Sequence, residues 1–252
     1  MSLFTIDLRT AMVSAAIGTS MLLTGCGSSS SNDSDVDNTV DNAVGSTVDM
    51  RTYEISVSNI TPNQPFSPIA VILHTSGYQA WVDGETASTA LELLAEEGDN
   101  SNLLSSAGDH SAYLASDSGA GIIGPGSNES VQLEVDAQSG VSLSVVTMLV
   151  NTNDAYTGIN ASSLADLTSG ESISYRAPVW DAGTESDTEA AGTIPGPADG
   201  GEGFNAARSD SSDRVRFHSG VISNQDGLSG SVLTAGHRFD NPAAVVTITR
   251  LN

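Results

Sequence analysis

Two short acidic segments of this sequence have the residue types and the spacing to hold a hard cation. Residues 151–154 (NTND) are consecutive oxygen-bearing side chains, and residues 180–185 (WDAGTE) supply two more carboxylates. Asp181 follows Asp154 by 27 positions. Calcium takes about six to eight oxygen ligands from carboxylates, carbonyls and water, and the irregular backbone of these segments can supply carbonyls. We therefore expect the two segments to meet and to bind a divalent cation through Asp154 and Asp181.

A plainer interpretation of the same two aspartates stays open at this point. An Asp in a turn often accepts a hydrogen bond from its own backbone two residues further on, which is an Asx turn. In either case no His or Cys lies near Asp154 or Asp181 in the sequence. This disfavours zinc and copper, whose usual ligands are imidazole and thiolate.

The longest apolar run outside the amino terminus leads directly into the first acidic segment. Residues 141–149 (VSLSVVTML) predict a central strand. Residues 51–60 and 129–137 alternate apolar and polar side chains, which is the pattern of half-buried strands. The short connection at 138–140 predicts that 129–137 and 141–149 pair as a hairpin.

Strands outnumber helices in the predicted elements. Residues 89–92 (TALE) are typical of a capping box, and Gly98 is suited to end the helix that begins there. A second short helical piece is expected at 101–107. Because the helices do not alternate with the strands, the pattern favours a mostly β fold, an antiparallel β-sandwich with one short helical insertion. Residues 185–213 show no periodicity and predict a long loop.

The amino terminus has the features of a lipoprotein signal peptide, residues 1–25. The apolar run 11–23 is shorter than the roughly 20 residues of a spanning helix. It ends in LTGC, which resembles a bacterial lipobox, and Cys26 is the sole cysteine. This motif implies a lipid anchor at Cys26. Gly27, where some such proteins have Asp, favours the outer membrane, with the protein either periplasmic or surface-exposed.

The remainder of the chain divides into a tether and a folded domain. Residues 26–50 are rich in Ser, Asn and Asp without a helical or strand period, so we expect a flexible acidic tether. Residues 51–252 form the predicted folded domain.

Composition and motifs exclude several classes of function. The chain has 8 Lys+Arg against 31 Asp+Glu, a net charge of −23, so it lacks the basic surface that nucleic-acid binding requires. The segment 119–124 matches GxGxxG, but Pro125-Gly126 follows at once and indicates a turn rather than the helix that a dinucleotide site requires. The histidines are scattered and no HExxH or GxSxG motif occurs. We therefore expect a protein that is not an enzyme, with His218 a structural or surface residue.

Several segments together resemble the spondin N-terminal domain, the module shared by F-spondin and mindin. The matching pieces extend from the first predicted strand to the carboxyl terminus: 53–68, 91–104, 133–135, 148–158, 180–185 and 244–251. The resemblance implies a β-sandwich similar to C2 domains, an extracellular adhesion role and a divalent cation held by three carboxylates. By local motif these ligands fall on Glu134, Asp154 and Asp181, and calcium is the expected ion.

The resulting hypothesis is a membrane-anchored lipoprotein that presents a calcium-binding, spondin-like domain to an unknown protein or to a matrix or glycan ligand. Two alternatives stay open. One is an envelope hydrolase that uses the cation and the 185–213 loop, and the other is a structural component of the envelope.

We expect Cys26→Ala to release the protein from membranes, because the substitution removes the thiol that would carry the lipid and a protein without acyl chains loses the apolar contribution to membrane binding. Fractionation of cells followed by immunoblotting measures this. Ser28→Ala, two residues away, is the control and should stay in the membrane fraction. Continued membrane retention of Cys26→Ala would contradict lipidation at this residue.

Overall fold

The computed structural model describes residues 49–136 and 140–252. The predicted signal peptide (1–25), the anchor residue Cys26 and nearly all of the predicted tether (26–50) lie outside the described residues. Within the described ranges, no helix has both the length and the apolar composition needed to cross a membrane.

Two antiparallel sheets contain the ten strands of the described residues, which confirms the predicted mostly β, sandwich-like fold. Sheet A has the order β4-β1-β10-β7, and sheet B has the order β3-β2-β5-β6-β8-β9. In chain order the strands are β1 (Met50–Asn59), β2 (Ala70–His74), β3 (Tyr113–Ser118), β4 (Asn128–Asp136), β5 (Ser142–Met148), β6 (Ala155–Ser163), β7 (Ser172–Ala177), β8 (Val179–Asp181), β9 (Arg216–Phe217) and β10 (Ala244–Arg250).

The inner faces of the two sheets form one apolar core. Tyr53, Ile55 and Val57 of β1 are buried, and the residues between them are only half-buried, so sheet A contributes one face to the core. They pack in the same cluster as Val71 and Val145 of sheet B. This is the period-2 burial expected when one face of a sheet is covered.

Sheet B is covered on its other face by two helices, α1 (Thr89–Glu97) and α2 (Ser101–Gly108). Leu91 and Leu103 of these helices cluster with Ile72 of β2 and Met148 of β5. The central strands β2 and β5 are therefore buried on both faces. This explains why 141–149 is a continuous apolar run rather than an alternating one.

The N-cap of helix α1 lies one residue earlier than predicted. Ser88 is the N-cap residue, and its Oγ accepts a hydrogen bond of 3.1 Å from the Leu91 N–H. Thr89 is the first residue of the helix. Gly98 ends it in the left-handed conformation at φ 76°, as predicted.

The predicted hairpin of 129–137 with 141–149 is wrong. β4 pairs with β1 in sheet A, whereas β5 pairs with β2 and β6 in sheet B. The connection between β4 and β5 therefore passes from one sheet to the other, and residues 137–139 of it lie outside the described residues. The side chains of Val131, Leu133 and Val135 still face the core, as predicted.

Residues 185–213 contain no helix or strand among the elements described, as predicted. An arginine from this segment holds it against α1. The Arg208 guanidinium makes a bidentate pair with Glu92, at 3.0 and 2.7 Å, and contacts the Asp213 carboxylate at 2.6 Å. It also donates to the Ala87 carbonyl at 2.8 Å. A paired fork of this kind has more geometric specificity than a single-contact ion pair.

We expect Gly158→Ala to lower the free energy of unfolding by at least about 3 kcal/mol, the upper part of the range for overpacking. Gly158 lies in β6 opposite Val146, and a Cβ at this position would overlap the backbone carbonyl oxygen of Val145. Neither strand can move aside, because β5 is packed on both faces. Urea denaturation followed by circular dichroism measures the change.

Gly108→Ala is the matched control, since a Cβ at Gly108 would meet nothing within 4 Å. It should leave the stability unchanged or raise it by up to about 1 kcal/mol, because Ala is the better helix former. Equal stability of Gly158→Ala and Gly108→Ala would contradict the close approach of β5 and β6.

Candidate metal centre

The turn between β5 and β6 places Asp154 at the end of sheet B. The Thr152 hydroxyl donates to the Leu149 carbonyl at 2.5 Å and accepts from the Ala155 N–H at 3.1 Å. The Leu149 N–H donates to the Ala155 carbonyl at 2.8 Å. These bonds close the turn internally, so the position of Asp154 is fixed by the two strands it joins.

Asp154 is completely buried, and its two carboxylate oxygens differ. Oδ2 accepts hydrogen bonds from the Thr184 N–H at 2.7 Å, the Glu185 N–H at 3.0 Å and the Thr184 hydroxyl at 3.1 Å. Oδ1 has no hydrogen-bond partner among the described residues. Burial raises the pKa of Asp154 despite the N–H groups of Glu185 and Thr184, which act in the opposite direction. A buried carboxylate oxygen without a partner is costly unless a proton, a water molecule or a cation satisfies it.

Asp181 lies at the end of β8, directly opposite Ala155 in the sheet ladder, so the two predicted ligands are brought to the same edge. Its Oδ1 accepts from the Gly183 N–H at 2.7 Å, and its Oδ2 contacts the Arg216 guanidinium at 2.7 Å. Burial and the nearby charge of Asp154 raise the pKa of Asp181 to about 7.

The Asx-turn interpretation applies to one of the two predicted ligands. The Gly183 bond of Asp181 Oδ1 is an Asx turn, two residues along the chain. Asp154 instead accepts N–H groups about thirty residues away, in the second acidic segment. The bond between the two segments confirms that they meet.

Two further residues, Asp187 and His218, form a close group with Asp181, and Asp154 lies outside this group. Each of three residues offers one ligand atom, and these atoms of Asp181, Asp187 and His218 lie within 4.8 Å of one another. No other such group of three is found in the described part of the chain. His218 Nε2 is 3.3 Å from Asp187 Oδ1, and its Nδ1 accepts from the Gly220 N–H at 2.9 Å. Nδ1 therefore carries no proton, and the proton lies on Nε2, facing Asp187.

Burial lowers the pKa of His218, but the hydrogen bond to Asp187 and the charges of Asp187, Asp181 and Asp154 outweigh it and leave the pKa raised. His218, predicted to be a structural or surface residue, is buried beside Asp181 and Asp187, although no histidine lies near Asp154 or Asp181 in the sequence. Asp187 and His218 are 31 residues apart in the sequence, and no spacing motif links them to Asp154. Only the pairing of β8 with β9 brings His218, one residue after β9, to the site.

More carboxylates surround the Thr184–Glu185 turn. Burial, together with the charge of Glu96, raises the pKa of Glu185 to about 7. Glu96 of α1 is buried and accepts from the Asn205 N–H at 2.8 Å through Oε2, while its Oε1 has no partner among the described residues. Burial raises the pKa of Glu96 as well. The region is therefore strongly negative for its degree of burial.

Glu134, the third ligand implied by the resemblance, lies elsewhere. It is exposed on β4, between the core residues Leu133 and Val135, so its side chain faces away from sheet B. Asp154 and Asp181 lie at the ends of sheet B strands. The family resemblance implies by local motif that Glu134 shares a cation with them, and this geometry does not support that implication.

Comparison with protein families identifies one match. The Spondin_N family model matches residues 56–193, which is more than half of the 252 residues. The matched region includes Asp154, Asp181 and Asp187 and ends before Arg216 and His218. It is shorter than the expected extent from residue 51 to the carboxyl terminus. A search of curated proteins finds no match.

We expect the cation-free protein to be less stable at pH 8 than at pH 5. The folded-state pKa of Glu185 is about 7 against an ordinary value of 4.5, so the folded state binds more protons in this interval. The stability from this group is present below pH 4.5 and is lost as the pH rises through 7. Thermal unfolding in a chelating buffer, measured at both pH values, tests this.

Glu185→Gln removes one of these titrating groups and should reduce the loss of melting temperature between pH 5 and pH 8. Glu134→Gln makes the same chemical change on the exposed face of sheet A. The loss of melting temperature between pH 5 and pH 8 should then be as large as in the parent protein. A melting temperature that rises from pH 5 to pH 8 in the parent protein would contradict the prediction.

Proposed function

This chain belongs to the spondin N-terminal domain family, and on that premise we propose that it is a lipid-anchored protein whose domain binds a divalent cation, calcium, for adhesion or another form of extracellular binding. The anchor would be Cys26 and the location the outer membrane. The partner would be a protein or a matrix or glycan ligand.

The observation that supports the cation most directly is the unpartnered Oδ1 of Asp154. A second buried polar atom, the hydroxyl oxygen of Tyr156, also has no partner among the described residues. The charges of Asp154 and Asp181 act on this Tyr156 hydroxyl, so it lies in the field of the same cluster. Buried polar atoms are normally satisfied, and a bound cation with its water would satisfy both.

Asp181 and Asp187, whose ligand atoms lie within 4.8 Å of each other, would hold the ion together with Asp154, which lies outside that close group but is influenced by the charge of Asp187. A carboxylate offers about four lone-pair positions, so the contacts of Asp181 with Gly183 and Arg216 leave capacity for a cation. Three carboxylates, backbone carbonyls and water are suited to calcium. The cation would neutralise charges that are otherwise balanced by few positive groups.

His218 favours a hard cation over zinc despite its position. Its Nε2 carries the proton and donates to Asp187, so the ring nitrogen nearest the cluster is not free to bind a metal. His218 would instead orient Asp187, as outer-shell partners do for ligating carboxylates.

Binding rather than catalysis is the role we propose. Asp154 and Asp181 are 0 and 1 % exposed, so a substrate could not reach a cation held between them without opening the turns. The cation would instead fix the two turns and the 185–213 segment, and so hold one edge of the domain rigid for a partner. The same burial weighs against the alternative of a cation-dependent hydrolase.

We expect calcium to raise the melting temperature of the protein, because a ligand that binds only the folded state stabilises it. At a free calcium concentration of 100 times the dissociation constant, the free energy of unfolding rises by about 2.7 kcal/mol. Thermal unfolding with increasing calcium measures it. Asp154→Asn and Asp187→Asn each remove a ligand charge with little change of shape and should abolish most of the gain.

Glu134→Gln is the control and should keep the full calcium response. Loss of the response in this variant would favour the ligand set implied by the family resemblance over the one proposed from the cluster. A parent protein whose melting temperature does not change with calcium would contradict the site, and hydrolytic activity abolished by Asp154→Asn would favour the enzyme.

A further inference from the structure

A cleft of about 340 Å³ lies on the surface of sheet B, apart from the cation cluster. One wall is the segment after β2, with Gln79, Trp81 and Asp83. The opposite wall is formed by β6 and by Pro178 and Trp180 at the start of β8. Its volume is within the range of small-molecule sites, about 300–1,000 Å³.

Aromatic side chains form the rigid part of this cleft. The Trp180 ring stacks on Phe217 at 4.2 Å and 22°, and its centroid is 5.7 Å from that of Trp81. Phe217 is 57 % exposed and Val82 is 47 % exposed. Large apolar side chains kept together at a surface are typical of a binding site. The stacking orients the Trp180 indole before any ligand arrives.

The segment that forms the first wall is also fixed. Asn160 of β6 donates from Nδ2 to the Trp81 carbonyl at 2.7 Å and accepts at Oδ1 from the Ala80 N–H at 2.9 Å. These two bonds hold the backbone of residues 80 and 81 against sheet B, so the cleft is largely pre-formed.

Two polar side chains at the rim are free. Gln79 and Asp83 are both exposed, and neither makes a hydrogen bond or ion pair to another residue of the described ranges. An amide offers both donors and acceptors, and a carboxylate accepts only. The cleft therefore combines an aromatic surface with unpaired polar groups at its edge.

We propose that this cleft binds a ring of a neutral glycan. A pyranose has an apolar face of C–H groups that packs on an indole, and a rim of hydroxyl groups that donate to a carboxylate and exchange hydrogen bonds with an amide. The proposal rests on the proposed binding function and deepens it by naming the class of ligand.

Other ligand classes fit the cleft less well. An anionic glycan would be repelled by Asp83 and by the net charge of −23. An organic cation binds best when several aromatic faces surround it, but Tyr156 is fully buried and Trp81 is 7 % exposed. An entirely apolar ligand would leave the polar groups of Gln79 and Asp83 without a role.

The test uses the two tryptophans of the chain, both of which line this cleft. Intrinsic fluorescence of the full chain in detergent, with calcium present, therefore reports directly on ligand entry. The probes are neutral oligosaccharides of glucose, mannose, galactose and N-acetylglucosamine. We expect at least one of them to change the tryptophan emission in a saturable manner.

Asp83→Ala and Gln79→Ala should each weaken that binding, Asp83→Ala by about tenfold or more, since a hydrogen bond to a charged group is worth that factor. The side chains of both residues are exposed and have no hydrogen-bond or ion-pair partner in the described ranges, so the fold should persist. Glu134→Ala makes the same charge change as Asp83→Ala on the far sheet and should leave the affinity unchanged.

Three results would overturn the proposal. They are the absence of a response to every neutral probe, equal affinity of Asp83→Ala and Glu134→Ala, and tighter binding of tetramethylammonium or of a sulfated glycan than of any neutral one. A chain that gains stability with calcium but gives one of these results would leave the cation site standing and remove only the glycan site.

Discussion

The Asp154 carboxylate joins two acidic turns by hydrogen bonds, and this edge of the domain depends on that contact. Asp154 Oδ2 accepts hydrogen bonds from the N–H groups of Thr184 and Glu185 and from the Thr184 hydroxyl. These donors lie about thirty residues further along the chain. Through this contact the turn after the central strand β5 determines where the second acidic segment lies, and with it the start of the 185–213 loop.

The same bond concentrates negative charge in the interior. Bringing residues 184 and 185 onto Asp154 also brings Glu185, Asp187 and Asp181 close to it, in a region where water is largely excluded. Among the described residues Arg216, which contacts Asp181, supplies compensating positive charge, and the imidazole of His218 contributes an Nε2–H that faces Asp187. Burial, together with this imbalance of charge, raises the pKa values of Asp181 and Glu185. A cation at Asp154 Oδ1 would offset it where it is largest.

Sequence patterns predicted those parts of the molecule that depend on local periodicity. Alternation identified β1 and β4, the apolar run identified β5, and Gly98 was the correct end of α1. The same patterns could not assign strands to sheets, since a strand that alternates looks the same in either sheet. The predicted β4–β5 hairpin is wrong for this reason, whereas Glu134 was implied by the family motif alone.

The candidate site was predictable to the extent that its residues followed a strand. Asp154 and Asp181 each lie at a strand end, and the pairing of β6 with β8 brings them together. Asp187 and His218 come from an aperiodic loop and from the end of a two-residue strand, so their positions depend on tertiary contacts that no short-range pattern encodes. The Ser88 cap was missed by one residue because Ser and Thr are adjacent and both can cap a helix.

The strand order of sheet A has a consequence for how this chain can fold. β10 lies between β1 and β7, with Tyr53 opposite Arg250, so the first strand of the domain pairs with a strand almost two hundred residues later. A chain that emerges amino terminus first, from a ribosome or through a translocation pore, cannot close this sheet until residues 244–250 have appeared. Pairing over such a separation is intrinsically slow. Folding of the sandwich therefore follows, and does not accompany, the emergence of the chain.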